Sequence, residues 1–269
     1  MLPNINMDKN NFLENIKYFV LDMDGTIYLD DYWIDGAKDF LHKIEQSGRK
    51  YVFLTNNSSK SSQNYIEKLH HMGLDIDSKQ IITSGQATIY YLQQHYPGKK
   101  VFLLGNESLH KEFIKNGIIL DEKNPDIVVT AFDTSLDYKK MCKVCDFVRT
   151  GLPYISTHPD HNCPTKTGFI PDSGAIQAFI HASSFRYPDR IIGKPNIDII
   201  KYLLIHLHTT SSYVAIVGDR LYTDIAAGVD NGLCSILVLS GETKLEDVAE
   251  SKIKPNLIFD SVKEIIPLL

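Results

Sequence analysis

Short apolar runs that each end on a polar cluster recur along this chain. Tyr18-Phe19-Val20-Leu21 runs into Asp22-Met23-Asp24-Gly25-Thr26, and Tyr51-Val52-Phe53-Leu54 into Thr55-Asn56-Asn57-Ser58. Ile191-Ile192 runs into Gly193-Lys194-Pro195, and Tyr213-Val214-Ala215-Ile216-Val217 into Gly218-Asp219-Arg220. Continuous apolar runs of this kind predict buried strands. Between them the spacing turns helical. A helix is expected over 35–46, with Ala37, Phe40, Leu41 and Ile44 on one face and Gly48 beyond its end. Others are expected over 61–72, with Tyr65, Leu69 and Met72 in phase and Gly73 as the stop, and over 196–208, apolar at Ile197, Ile200, Leu204 and Leu207. A short hairpin is expected over 27–34. Strands alternating with helices predict an α/β fold whose parallel sheet is covered on both faces.

The stretch between Thr55 and Lys194 is too long for a loop. It carries predicted strands at 101–104, 127–131 and 154–156, and predicted helices at 87–95, 109–115, 138–149 and 174–183. The pattern describes a second α/β unit inserted into the first. The expected domains are 1–84 with 191–269, and an insert over 85–190.

Asp22 and Asp24 stand two residues apart at a strand end, an arrangement that like-charge repulsion disfavours unless a cation or a shared proton compensates. Taken alone, Asp-x-Asp-Gly is also an ordinary solvated turn. A calcium loop does not fit: it needs Gly at the sixth position and Glu at the twelfth, whereas here Gly25 is fourth and Trp33 twelfth. In open α/β sheets ligands bind beyond the carboxyl ends of the strands. Four strand ends would then deliver Asp22 and Asp24, Thr55 with Asn56, Lys194, and Asp219 with Asp224 to one crevice.

With these residues in this order the chain resembles the haloacid dehalogenase superfamily. Asp22-x-Asp24-Gly25-Thr26 matches its first motif, Thr55 its second, Lys194 its third and Gly218-Asp219-x-x-x-x-Asp224 its fourth. The wording Leu54-Thr55-Asn56-Asn57-Ser58 and Gly218-Asp219-Arg220-Leu221-Tyr222-Thr223-Asp224-Ile225 is similar to the NagD-like phosphatases of subfamily IIA, which include p-nitrophenylphosphatases. The resemblance implies a Rossmann-like core with an inserted cap of type C2.

It also implies roles. Asp22 would be the nucleophile, forming an aspartyl-phosphate, and Asp24 the general acid and then base. Mg²⁺ would be held by Asp22, the main-chain carbonyl of Asp24 and Asp219, with Asp224 orienting its water ligands. Thr55 and Lys194 would bind the phosphoryl oxygens, and Asn56 and Asn57 would donate to the phosphate or its leaving group. The implied activity is Mg²⁺-dependent hydrolysis of small phosphate monoesters. The alternatives on the same fold are a phosphotransferase and a low-turnover regulatory protein that binds a phosphorylated ligand.

Substrate choice is expected in the cap, in the segment Thr157-His158-Pro159-Asp160-His161-Asn162-Cys163-Pro164. NagD-like proteins often carry Asn-Pro-Asp where this chain has His158-Pro159-Asp160, and Pro-Gly-x-Gly where it has Pro171-Asp172-Ser173-Gly174. Contact with substrate and exposure to solvent are both open for His158 and His161, and contact with substrate is open for Asp160.

Composition sets the frame. At 269 residues the chain holds one large or two ordinary domains, and 43% hydrophobic with 23% charged residues is normal for a soluble globular protein. A net charge of −5 argues against an extended nucleic-acid surface. The absence of an apolar run of membrane-spanning length argues against a membrane partner. A basic start followed by an apolar core is also absent, and a cytoplasmic location is expected. Residues 1–15 are Asn-rich and expected to fray in part. Cys142 and Cys145 form a C-x-x-C, but with Tyr138, Met141, Val144 and Val148 they fall at helical spacing, so reduced cysteines in or near a core are expected. The expected partner is a small phosphorylated metabolite. A homodimer through the cap is compatible with the resemblance.

Overall fold

The computed structural model describes residues 12–165 and 167–269, so most of the expected fraying over 1–15 lies outside the described residues. At 12–15 the chain is anchored instead. Leu13 is buried, and the Arg49 guanidinium donates to the carbonyls of Leu13 at 3.2 Å, Ile16 at 3.0 Å and Leu269 at 3.1 Å.

The chain divides into two compact units. One holds the described residues up to Leu54, Lys79–Ile81 and Leu203–Leu269; the other holds Thr55–Ser78 and Ile82–Tyr202. The insert expected from the sequence is 85–190.

The chain builds a six-stranded sheet, most of it from first-unit residues, in the order Leu257–Phe259, Cys234–Val238, Val214–Gly218, Tyr18–Leu21, Lys50–Thr55 and Ile81–Thr83. The pairings from Leu257–Phe259 through Lys50–Thr55 are parallel. Phe19, Val20, Leu21, Val214, Ala215 and Val217 are fully buried, as both faces of a parallel sheet require. Leu21, the last residue of the central strand, pairs with Val217 on one side and Phe53 on the other. The expected hairpin is present as Tyr28–Leu29 against Tyr32–Trp33.

The helix Ala37–Gln46 buries the predicted face, Ala37, Phe40, Leu41 and Ile44, and Phe40 meets Phe19 edge-on at 5.9 Å. The helix Ile197–His206 corrects the expected phase. Its buried positions are Ile199, Ile200 and Leu203, followed by Leu207, whereas Ile197 is exposed. A run this rich in aliphatics offers two overlapping faces, and packing chooses between them.

The second unit has its own parallel sheet, in the order Arg190–Ile191, Tyr154–Ser156, Ile127–Thr130, Lys100–Leu104 and Ile119–Leu120. The helices Ser84–His95, Glu107–Lys115, Tyr138–Arg149 and Ser173–Ser184 lie where the spacing predicts helices. Side-chain caps fix several starts: Asp137 accepts from Lys140 N, and Ser61 forms a capping box with Asn64 before Ser62–His71. Phe102, Leu104, Val128, Val144, Cys145, Val148, Tyr154, Ile176 and Ile180 form one core cluster. Cys145 is therefore a core residue as expected, but Cys142 and Tyr138 are exposed, one helical step off that face. The spacing missed a hairpin, Asn162–Thr165 against Gly168–Pro171.

A buried polar network lies inside this unit. His158 has no exposed surface; its Nδ1 is 2.9 Å from Thr157 Oγ1 and its Nε2 is 2.8 Å from Asp172 Oδ1. Asp172 also caps the helix Ser173–Ser184. Gln177 Nε2 donates to the His158 carbonyl at 2.8 Å and to Ser156 Oγ at 2.7 Å. His158 and Asp172 are the two positions where the chain departs from the family wording, and they are hydrogen-bonded to each other.

Phe40→Ala should cost about 3–5 kcal/mol, seen as a lower denaturation midpoint, because the site cannot refill. Burial opposes the charged form of His158, but Asp172 and Asp160 outweigh it and raise the pKa. A pKa raised on folding stabilises fully below the unfolded value of about 6.5 and fades as pH climbs through the folded value. The melting temperature should therefore fall as pH rises above about 6.5, and this component should vanish in His158→Asn; an unchanged slope would refute the pairing. His158→Asn alone should cost about 3–5 kcal/mol by leaving a buried carboxylate without its partner. Adding Asp172→Gly should recover part of that loss.

Candidate active site

The Asp22 N–H donates to the Val217 carbonyl at 2.9 Å, so the sheet ladder runs one residue past the strand and sets Asp22 at its carboxyl end. The chain then turns tightly. The Met23 carbonyl accepts from Thr26, Ile27 and Tyr28, and the Gly25 N–H donates to the Tyr28 carbonyl at 2.8 Å. Gly25 has φ +86°, and a Cβ on it would stand 2.6 Å from Asp219 Oδ2. Gly241 approaches the same carboxylate from another loop, where a Cβ would stand 2.0 Å from that oxygen. Only glycines allow the backbone to close around Asp219 in this way.

Asp219 follows the strand Val214–Gly218, and Asp224 lies in the π-helical turn Leu221–Ile225. The Arg220 carbonyl accepts from both Asp224 N and Ile225 N at 3.1 Å, and Arg220 N donates to Asp224 Oδ2 at 3.2 Å. That widened turn, a feature found at many functional sites, aims Asp224 back at the strand end. One oxygen from each of Asp22, Asp219 and Asp224 lies within 4.8 Å of the others. Asp24 is half-buried and lies outside that trio.

The electrostatics match the crowding. Burial, then the neighbouring Asp224 charge, push the Asp219 carboxyl up to about 6, partly offset by the Glu242 N–H and by Arg220. Asp219 Oδ2 accepts from Glu242 N at 2.7 Å, whereas its buried Oδ1 has no hydrogen-bond partner among the described residues. A buried acceptor left open beside two further carboxylates is a donor set suited to a hard, oxygen-seeking divalent cation such as Mg²⁺.

Arg220 is a site residue that motif reading passed over. Its Nε is 2.9 Å from Glu242 Oε2. Burial opposes its charge, but Asp22, Tyr222, Asp219 and Glu242 together outweigh that and raise its pKa. Position directly after a strand-end Asp was the available signal. Gly241 had one too, since it closes the apolar run Ile236-Leu237-Val238-Leu239.

Thr55, Asn56, Asn57 and Lys194 belong to the other unit. Thr55 ends its strand buried, and its Oγ1 accepts from Asn57 N at 3.2 Å. Asn57 Oδ1 accepts from Ser59 N at 2.9 Å, which tightens the turn. Lys194 is 2% exposed, and its main chain bonds to the Asn56 side chain through both N–H and carbonyl. Of the cap residues left open by the sequence, His158 is fully buried, Asp160 is buried, and His161 is exposed. His158, Asp160 and Asp172 form a second cluster of ligand-type groups. Both imidazole nitrogens there are already hydrogen-bonded, which reads as a structural network.

Residues 19–119 match the family described as haloacid dehalogenase-like hydrolase, and residues 191–265 match a second haloacid dehalogenase hydrolase-like family. An acid sugar phosphatase of Staphylococcus aureus is 34% identical over 94% of this chain and 98% of its own. A 4-nitrophenylphosphatase from Thermotoga maritima is 42% identical, with a TM-score of 0.92 over 95% of this chain and 98% of that one. NagD from E. coli K-12 is 36% identical, with a TM-score of 0.86 over 93% and 98%. No helix among the described residues is long and apolar enough to cross a membrane. With its motif residues on strand ends and relatives of this likeness over nearly its whole length, the chain belongs to the haloacid dehalogenase-like hydrolases and, within them, to the NagD-like phosphatases of subfamily IIA.

Proposed function

We propose that the chain hydrolyses small phosphate monoesters, sugar phosphates foremost, through a covalent intermediate on Asp22. The observation that carries the mechanism is the trio Asp22, Asp219 and Asp224, with the open Asp219 Oδ1 among them. The names of the relatives, an acid sugar phosphatase and a 4-nitrophenylphosphatase, support the substrate class. Residues 85–190 act in this reading as the cap that selects the leaving group.

An Asp22 carboxylate oxygen attacks phosphorus, and the bond from phosphorus to the ester oxygen breaks. Asp24, protonated for this step, gives its proton to the departing alkoxide. Water then attacks the aspartyl-phosphate, Asp24 takes its proton, and inorganic phosphate leaves with Asp22 restored. Thr55 and Lys194 hold the phosphoryl oxygens, with the segment Asn56-Asn57 beside them. Asp22, Asp219 and the Asp24 carbonyl would hold Mg²⁺, with Asp224 orienting water around it. When bound, the cation offsets the charge of the phosphate and of the carboxylates around it. Arg220 holds part of that carboxylate charge from within the protein.

Hydrolysis of 4-nitrophenyl phosphate should require Mg²⁺, and Asp22→Asn should abolish it while leaving ester binding largely intact. Full activity in that variant would refute the nucleophile. No turnover by the unaltered chain on this ester or on a sugar phosphate panel would refute the hydrolase reading. Mg²⁺ at about 100 times its Kd should raise the melting temperature by roughly 5 °C or more, since it binds only the folded state. The rise should disappear in Asp219→Asn.

A further inference from the structure

Asp160 lies in the segment 157–164, the stretch expected to choose the leaving group, yet its carboxylate is turned inward. It is 8% exposed, and its Oδ1 accepts from Asn56 Nδ2 at 3.1 Å. The same Nδ2 donates to the Lys194 carbonyl at 3.0 Å, and Asn56 Oδ1 accepts the Lys194 N–H at 2.8 Å. An asparagine amide has two hydrogens to give, and both are committed here. Asn56 thus grips both polar main-chain groups of Lys194. Asp160 in its ionised form only accepts, so it opposes an end-for-end turn of the Asn56 amide, which would set NH₂ against the Lys194 N–H.

The surrounding backbone is shaped for this clamp. The Gly193 N–H donates to the Thr157 carbonyl at 2.7 Å, and a Cβ on Gly193 would stand 2.6 Å from Asn56 Oδ1. Ser84 Oγ donates to the Asn56 carbonyl. The Asp160 carbonyl accepts the Gly174 N–H at 2.7 Å, and a Cβ on Gly174 would stand 2.3 Å from the Pro159 carbonyl oxygen. Both ends of the relay are therefore pinned to main chain.

We infer that Asp160 and Asn56 are positioning residues that hold the main chain of Lys194, so that Asp160 acts on the rate of phosphoryl transfer and not on the choice of ester. The inference rests on the proposed role of Lys194 in holding the phosphoryl oxygens. A displacement of about 1 Å at such a group costs on the order of a hundredfold in rate.

The test measures kcat and KM for 4-nitrophenyl phosphate and several sugar phosphates, with Mg²⁺ present. Asp160→Ala should lower kcat about tenfold or more, by one common factor for every ester. Asp160→Asn, which keeps an oxygen for Asn56 Nδ2, should regain most of the loss. An altered order of preference among the esters, or an unchanged kcat in Asp160→Ala, would overturn the inference. Should Asp160→Ala fail to fold, Asp160→Leu serves, because it keeps much of the volume and removes the acceptor for Asn56 Nδ2. It should lower kcat by one common factor for every ester, and an unchanged kcat or an altered order of preference would overturn the inference. Should the unaltered chain hydrolyse no ester, the hydrolase reading falls separately, and calorimetric binding of inorganic phosphate decides the positioning. Weaker binding in Asp160→Ala, with recovery in Asp160→Asn, would uphold it; equal binding in all three would overturn it.

Discussion

Mutual repulsion among Asp22, Asp219 and Asp224 is the constraint on which the acidic site depends. Their oxygens lie within 4.8 Å of one another. At an effective interior dielectric near 20, two unit charges 4 Å apart repel by about 4 kcal/mol. The protein answers in three ways. Asp219 holds its proton more tightly, up to about 6. Arg220 brings a half-buried positive charge toward Asp22 and Asp219. The oxygen set, with Asp219 Oδ1 left open, suits a divalent cation. A site built this way is unfavourable alone and favourable with its ligands, which is the condition expected of a group of residues kept for chemistry.

Backbone geometry brings these charges together. Parallel register sets Leu21 beside Val217, and one further ladder bond carries Asp22 past the strand end. Gly25 and Gly241 then allow two loops to close on Asp219 where any side chain would collide. The π-helical turn Leu221–Ile225 returns Asp224 toward the strand it left. These devices rest on backbone hydrogen bonds, one of them to the Asp224 carboxylate, and on missing Cβ atoms.

The second unit keeps its polar groups inside for a different reason. His158, Asp172, Asp160, Asn56 and Lys194 are all buried, and a buried polar group is tolerated only where its hydrogen bonds are met. His158 and Asp172 meet each other's, so the two departures from the family wording amount to one compensated change. Asn56 meets those of the Lys194 main chain.

The chain's own pattern determined a good deal. Buried strands read as unbroken apolar runs, the polar cluster after each run marked a strand end, and the stripe Ala37, Phe40, Leu41 and Ile44 marked a helix face. These are legible because solvent exclusion acts on neighbouring residues with a fixed period. Tertiary structure alone decided the rest. It chose Ile199 and Leu203 over Ile197 and Leu204 as the inward face, turned Cys142 outward, and paired Asn162–Thr165 with Gly168–Pro171. It also joined Asp160 to Asn56, 104 positions apart, and Asn56 to Lys194, 138 apart. Nothing in a period of two or 3.6 residues records which distant carboxylate an amide will meet, because that depends on loop closure and packing rather than on neighbouring side chains.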